Sequence, residues 1–105
     1  MTTETLDTID HVAVVVDDID AAVAWYQAHF NCDVQWHDET WAFLRFGNCG
    51  LALVTPQQHP PHFAITAANI SRFGTPQTHR DGTRFVYLDD GSGNTVEMLE
   101  RLPTV

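Results

Sequence analysis

Apolar positions in this chain fall into short β-type runs, interrupted once by a longer helical repeat. IDHVAVVV at 9–16 is short and rich in β-branched residues, which predicts a strand buried on both faces. Asp17 and Asp18 follow as N-cap candidates, and Asp20 places negative charge in a first helical turn. Ile19, Val23, Tyr26 and Phe30 then recur at spacings of 4, 3 and 4, one face of an amphipathic helix that Asn31 terminates. Three strand-like runs come next: DVQWH at 33–37, WAFLRFG at 41–47 and GLALVT at 50–55, with links of hairpin length. PQQHPP at 56–61 is a stiff linker that cannot lie inside a strand.

The order then repeats. HFAIT at 62–66 reads as a strand, and AANISRFG at 67–74 as one or two helical turns stopped by Gly74 and Pro76. A weak extended stretch at 77–80, a turn at 80–82, a strand at 83–89, the turn DGSGN at 90–94 and a strand at 95–100 complete the chain. The whole is α+β, two βαβββ modules of which the second has a shortened helix. We expect an N-terminal arm at 1–8 and a single domain at 9–105, with module one at 9–55 and module two at 62–102. Neither module has enough helix to cover its sheet. Each must bury a face against the other module or against a second subunit.

Alternation along the strands sorts side chains onto two faces. Val12, Val14 and Val16 are expected under the helix, together with Ala42, Leu44, Phe46, Phe63, Ile65, Val86, Leu88, Val96 and Met98. That leaves His11, Ala13 and Val15, Phe43 and Arg45, His62, Ala64 and Thr66, Phe85 and Tyr87, and Thr95, Glu97 and Leu99 on the opposite, cleft-facing side. Two imidazoles and one carboxylate, His11, His62 and Glu97, therefore share a face. A set of that composition leaves coordination positions open and suits Fe(II), Mn(II), Ni(II) or Zn(II). The first reading of a lone histidine in an apolar strand is still a satisfied core residue, and a buried Glu97 finds an alternative partner in Arg45 or Arg84.

Charge narrows the partners. The chain has 105 residues and a net charge of −9, with all five of its bases arginine. It repels phosphate backbones and acidic membrane surfaces, so nucleic-acid binding and membrane association are not expected. Charged residues make up 18%, low enough that part of the surface is expected to be neutral or covered by a partner. Cys32 and Cys49 form no CxxC and are read as buried or half-buried thiols. The polar, acidic start MTTETLDTID is unlike a signal peptide, which makes a cytoplasmic location the expectation. DGSGN lacks the following helix that a phosphate-binding loop needs.

IDHVAVVVDDIDAAVAWY at 9–26, GLALVTP at 50–56, HFAIT at 62–66 and DGSGNTVEMLE at 90–100 together resemble the vicinal-oxygen-chelate superfamily, which includes glyoxalase I, bleomycin-resistance proteins and extradiol dioxygenases. The resemblance implies paired βαβββ modules whose mixed sheet forms a cup around a divalent metal. It carries the ligand positions onto His11, His62 and Glu97. It also implies a fourth ligand on the fourth strand in the isomerase and lyase branches, where this chain has Ala52. The three-ligand set that remains is that of the dioxygenase branch, with Fe2+ or Mn2+ favoured and Ni2+ or Zn2+ as alternatives.

The expected activity is thus metal-dependent, dioxygenase-like chemistry on a small oxygen-chelating substrate. A glyoxalase-like isomerase or lyase and a metal-free protein that sequesters a small molecule, of the bleomycin-resistance type, are the alternatives. Tyr87 is the candidate proton or hydrogen-bond donor, with packing as its other reading. Arg45 is the candidate grip on a substrate carboxylate or phosphate, with a surface ion pair as its other reading. Phe43 and Phe85 are expected to line the substrate site. His37, His59 and His79 are read as surface residues, and Trp25, Trp36 and Trp41 as core or interface. A homodimer is expected.

Overall fold

The computed structural model describes residues 6–58, 60–79 and 82–100. Of the expected features, His59, most of the 80–82 turn, positions 1–5 of the arm and the chain beyond 100 lie outside those residues.

The first module runs β1 (Thr8–Val15), α1 (Ile19–His29), β2 (Asp33–His37), β3 (Trp41–Arg45) and β4 (Gly50–Val54). The second runs β5 (His62–Ala67), a 3₁₀ turn (Ile70–Phe73), β6 (Gln77–Thr78), β7 (Arg84–Asp89) and β8 (Thr95–Glu100). The strands form one eight-stranded mixed sheet in the order β2-β3-β4-β1-β5-β8-β7-β6. Within each module the first and last strands are parallel, β1 with β4 and β5 with β8. The modules meet edge to edge, β1 antiparallel to β5, so they pair within one chain. The α+β architecture of two βαβββ modules with a cut-down second helix is what the sequence pattern predicts.

Local chemistry accounts for the boundaries. Asp18 caps α1, its carboxylate accepting from the Ala21 N–H at 3.0 Å. The helix ends at His29 rather than at Asn31, because Phe30 is already extended and leads into β2. Phe30 is consequently half-exposed instead of closing the apolar face of the helix. The β7–β8 hairpin is tied by Asp90, whose carboxylate accepts from the Ser92 and Asn94 N–H groups and from Asn94 Nδ2. Gly91 and Gly93 supply the positive φ values, 88° and 87°, that this turn requires.

Two cores lie on the convex side of the sheet. Ile19 and Val23 of α1 press on Ala42, Leu44 and Leu53, with Val14, Val16 and Val34 alongside. Ile70 of the 3₁₀ turn packs on Ala67, Val86, Val96 and Met98. The helix and the 3₁₀ turn cover the two flanks and leave the middle of the sheet thinly covered. Val12, expected under the helix, is therefore partly exposed. Trp25 and Trp36 are half-exposed and belong to neither core, contrary to the core reading. Cys32 and Cys49 are half-buried free thiols, as expected. Among the described residues no helix is long and apolar enough to cross a membrane.

Candidate metal centre and its cleft

The concave side holds an open cleft of about 1230 Å³. Its centre is set by strand register. His11 on β1 stands opposite Ala64 on β5, and Ala64 opposite Glu97 on β8. Tyr87 on β7 extends the same row beyond Glu97. His62 lies opposite Ala13, one step diagonal to His11. Adjacent strands are about 4.8 Å apart, so His11 and Glu97 rise from backbones about 10 Å apart and lean together over Ala64. Their Nε2 and Oε1 atoms are 3.5 Å apart, and His62 Nε2 lies 3.4 Å from the same oxygen. Among the described residues these three form the group whose ligand atoms all lie within 4.8 Å of one another.

The other ring nitrogens are also committed. His11 Nδ1 donates to the Asp10 carboxylate at 2.8 Å, and His62 Nδ1 to the Pro60 carbonyl at 2.9 Å. With Nδ1 engaged outward, each ring directs Nε2 at the shared centre, where it meets Glu97 in the metal-free protein and would offer its lone pair to a bound ion. Bonds of about 2.0–2.2 Å from one ion to all three atoms are compatible with the separations observed. The donor set, spacing and outer hydrogen bonds therefore fit a divalent metal ion.

Asp10 was not singled out from the sequence. In a regular strand it would face away from His11. A register shift between Ile9 and His11 brings its carboxylate into the cleft. A second shift, between Val34 and Trp36, places Val34 in the core and Trp36 opposite Phe43 on the cleft side. The pattern of polar and apolar residues does not reveal either bulge.

His79 is a correction. Read from the sequence as a surface residue, it donates from Nε2 to Glu97 Oε2 at 2.6 Å and stacks on Phe85 at 3.7 Å between centroids. The available signal was parity: Gln77 pairs with Phe85, so His79 shares a face with Phe85, Tyr87 and Glu97. β6 is only two residues long, too short for alternation to register. His37 is exposed and pairs with Asp20 outside the cleft. Neither arginine is the partner of Glu97: its carboxylate faces three imidazoles, and Arg84 lies 3.5 Å from Glu100.

Tyr87 and Arg45 line the cleft, as does Phe43, whose ring stands edge-on to His11 at 5.4 Å. Phe43 lies over Gly50, where an added Cβ would fall 2.2 Å from its ring. Phe85 is on the cleft side but buried beneath His79. Ala52 is buried on the cleft floor and offers no ligand atom.

The electrostatics follow from this packing. Burial pushes the Glu97 carboxyl up, but hydrogen bonds from His11, His62 and His79 outweigh it and hold the group well below the carboxylate range. Burial pushes His11 down, but hydrogen bonds to Asp10 and Glu97 win and raise it to about 9. Burial, reinforced by the Glu97 charge, raises Tyr87 to about 12, so its hydroxyl keeps its proton. The chelator-treated protein should lose stability as pH rises above neutrality. The raised His11 value stabilises the fold fully below its unfolded value of about 6.5, and that contribution disappears as pH rises through 9. Unfolding midpoints in urea should show a loss of about 2–3 kcal/mol between pH 6 and pH 9.5. His11→Gln should flatten that slope, and an unchanged slope would refute the assignment.

The model of one protein family, the Glyoxalase/Bleomycin resistance protein/Dioxygenase superfamily, matches residues 8–74. None of the curated proteins matches the chain. Among solved structures, a hypothetical protein from Bacillus halodurans C-125 is 18% identical, with 96% of this chain and 99% of that one covered at a TM-score of 0.74. Methylmalonyl-CoA epimerase from Mycobacterium tuberculosis is 18% identical, with 98% and 94% covered at 0.75. A Streptomyces coelicolor methylmalonyl-CoA epimerase in complex with 2-nitronate-propionyl-CoA is 20% identical, with 94% and 100% covered at 0.74. At these identities the likeness is one of fold.

Proposed function

The chain belongs to the Glyoxalase/Bleomycin resistance protein/Dioxygenase superfamily, and from that premise we propose that it is a metal-dependent enzyme acting on a small molecule that chelates its ion through neighbouring oxygens. The observation that carries this reading is the convergence of His11, His62 and Glu97, each imidazole held by an acceptor on its far nitrogen. Fe2+ or Mn2+ suits the set best, with Ni2+ or Zn2+ next. When bound, the ion supplies a Lewis acid that polarises the chelating oxygens. Ala52 in place of a fourth ligand leaves more than one position open, which favours dioxygenase-like over isomerase or lyase chemistry.

The chain's own residues then have separate tasks. Asp10 and the Pro60 carbonyl fix the ring orientation of His11 and His62. Tyr87, protonated at all ordinary pH, donates a hydrogen bond toward substrate oxygen beside Glu97. Arg45 offers its planar fork to a substrate carboxylate from the cleft rim. Phe43 walls the cleft, and Phe85 supports His79 from below. The epimerases of the same fold act on or bind CoA compounds by their names. A polyanionic CoA compound suits this chain poorly, since its net charge is −9.

A metal-free binding protein is the second reading, and one observation favours it: three imidazoles already satisfy Glu97 without an ion. Metal analysis of the purified protein separates the two. The enzyme reading expects about one Fe, Mn, Ni or Zn per chain, lost in His62→Ala. A wild-type protein that takes up none of these metals would overturn it. Oxygen uptake on a catechol panel then tests the dioxygenase assignment. We also hold to a cytoplasmic homodimer, the latter supported by half-exposed Trp25 and Phe30 and checked by light scattering.

A further inference from the structure

Beside the three-residue centre, one lobe of the cleft is aromatic and specifically constructed. Trp36 and Trp41 lie nearly parallel, 6.0 Å apart at 27°. Trp41 meets Phe43 edge-on at 6.4 Å, and Phe43 meets His11 edge-on at 5.4 Å. A continuous aromatic surface thus runs from the rim to the first candidate ligand.

The lobe is held rigid by one carboxylate. Asp38 accepts from Trp36 Nε1 at 2.9 Å through one oxygen. Through the other it accepts from the Thr40 and Trp41 N–H groups at 2.8 and 3.0 Å. The same residue fixes an indole of β2 and the start of β3. Glycine at position 50 makes the room that Phe43 occupies, and Ala52 keeps the floor low. Such preorganisation lowers the entropy lost when a ligand binds.

Packing alone does not explain the lobe. Trp36 is 50% exposed although it faces the cleft through a bulge that turns it there. An exposed indole in a concave site is a common mark of ligand recognition. Trp41 Nε1 is buried with no hydrogen-bond partner among the described residues, so this indole is held by its ring contacts and by the Asp38 turn at its backbone. The surrounding charge restricts the occupant further. Asp10, Asp38, Glu97 and Glu100 line the cleft against Arg45, Arg84 and His11; Arg84 already faces Glu100, and His11 already meets Asp10 and Glu97.

We propose that Trp36, Trp41 and Phe43 form a ring-binding subsite that seats a planar aromatic group with no negative charge on the ring itself, a substrate carboxylate being left to Arg45 at the rim. It names the substrate class for the functional reading given above and rests on that reading only for the link to the metal. The ring stacks on Trp36 and Trp41 while oxygen substituents at its inner edge reach toward His11 and Glu97.

The test uses the chelator-treated full chain and 2-naphthol, a neutral flat ring without adjacent oxygens. Indole N–H signals of Trp25, Trp36 and Trp41 are followed by 15N-correlated NMR. Trp36 and Trp41 signals should shift on titration and Trp25, on the outer face of α1, should not. Trp36→Leu should weaken 2-naphthol about tenfold, within the range of stacking on one aromatic side chain. Naphthyl phosphate should bind at least tenfold more weakly than 2-naphthol. Uniform or absent shifts, an unchanged affinity in Trp36→Leu and Trp41→Leu, or equal binding of naphthyl phosphate would each overturn the subsite. Because the protein is metal-free throughout, these outcomes are independent of whether the wild type takes up metal.

Discussion

Glutamine in place of Glu97 is expected to abolish metal-dependent stabilisation while leaving the fold in place. Glu97 is 3% exposed and supplies the single negative charge at the point where His11 and His62 converge. Glutamine keeps the shape and a carbonyl acceptor for the imidazoles but removes that charge. A ligand that binds only the folded state adds about 2.7 kcal/mol at a concentration a hundred times its dissociation constant. For a domain of this size each kcal/mol corresponds to roughly 4–8 °C in melting temperature. Wild-type protein should therefore gain roughly 10–20 °C when Mn2+ or Zn2+ is added to the chelated form, and Glu97→Gln should gain almost nothing. Scanning calorimetry with and without metal reads this directly. A full shift in the variant would place the ion elsewhere.

The same substitution should lower the His11 value, since Glu97 is one of the two groups that raise it. Asp10 remains, so the value falls part of the way and not to that of a free imidazole. This makes the metal-free variant less pH-dependent than the wild type. It also separates the two outer partners. Asp10 orients the ring, whereas Glu97 both charges the centre and links it through its second oxygen to His79.

How much of this could be read from the sequence depends on whether regular alternation holds. His11, His62 and Glu97 each lie in a strand long enough for the period of two to assign a face, and duplication places the two histidines at equivalent positions of the first strand of each module. The β7–β8 hairpin was equally legible, because DGSGN contains its own turn chemistry. Asp10 and Trp36 were not legible as cleft residues, since each sits at a shift in register that reverses the parity rule locally. His79 follows a two-residue strand, and its role depends on a partner eighteen positions away. The Pro60 carbonyl is backbone, and no side-chain pattern announces it. The ligand set is thus written in strand periodicity, while the groups that orient it depend on register shifts and backbone atoms that periodicity does not encode.

Leucine in place of Ala64 should destroy metal binding with every ligand still present. Ala64 is fully buried and occupies the register position between His11 and Glu97, so both side chains close over its methyl group. A larger side chain there would occupy the volume in which the three ligand atoms meet. Overpacking of this kind costs about 1–3 kcal/mol, and the melting temperature of the metal-free protein should fall accordingly. The gain on adding metal should fall from roughly 10–20 °C to near zero. Ala64→Gly is the control: it removes only the methyl group, costs about 0.5–1 kcal/mol through strand entropy and should retain metal binding. Removing a ligand and blocking its approach are different perturbations, and they should give the same loss only if the ion sits above β5. Retained affinity in Ala64→Leu would mean that His11 and Glu97 do not close on a common ion, even if Glu97→Gln had abolished binding.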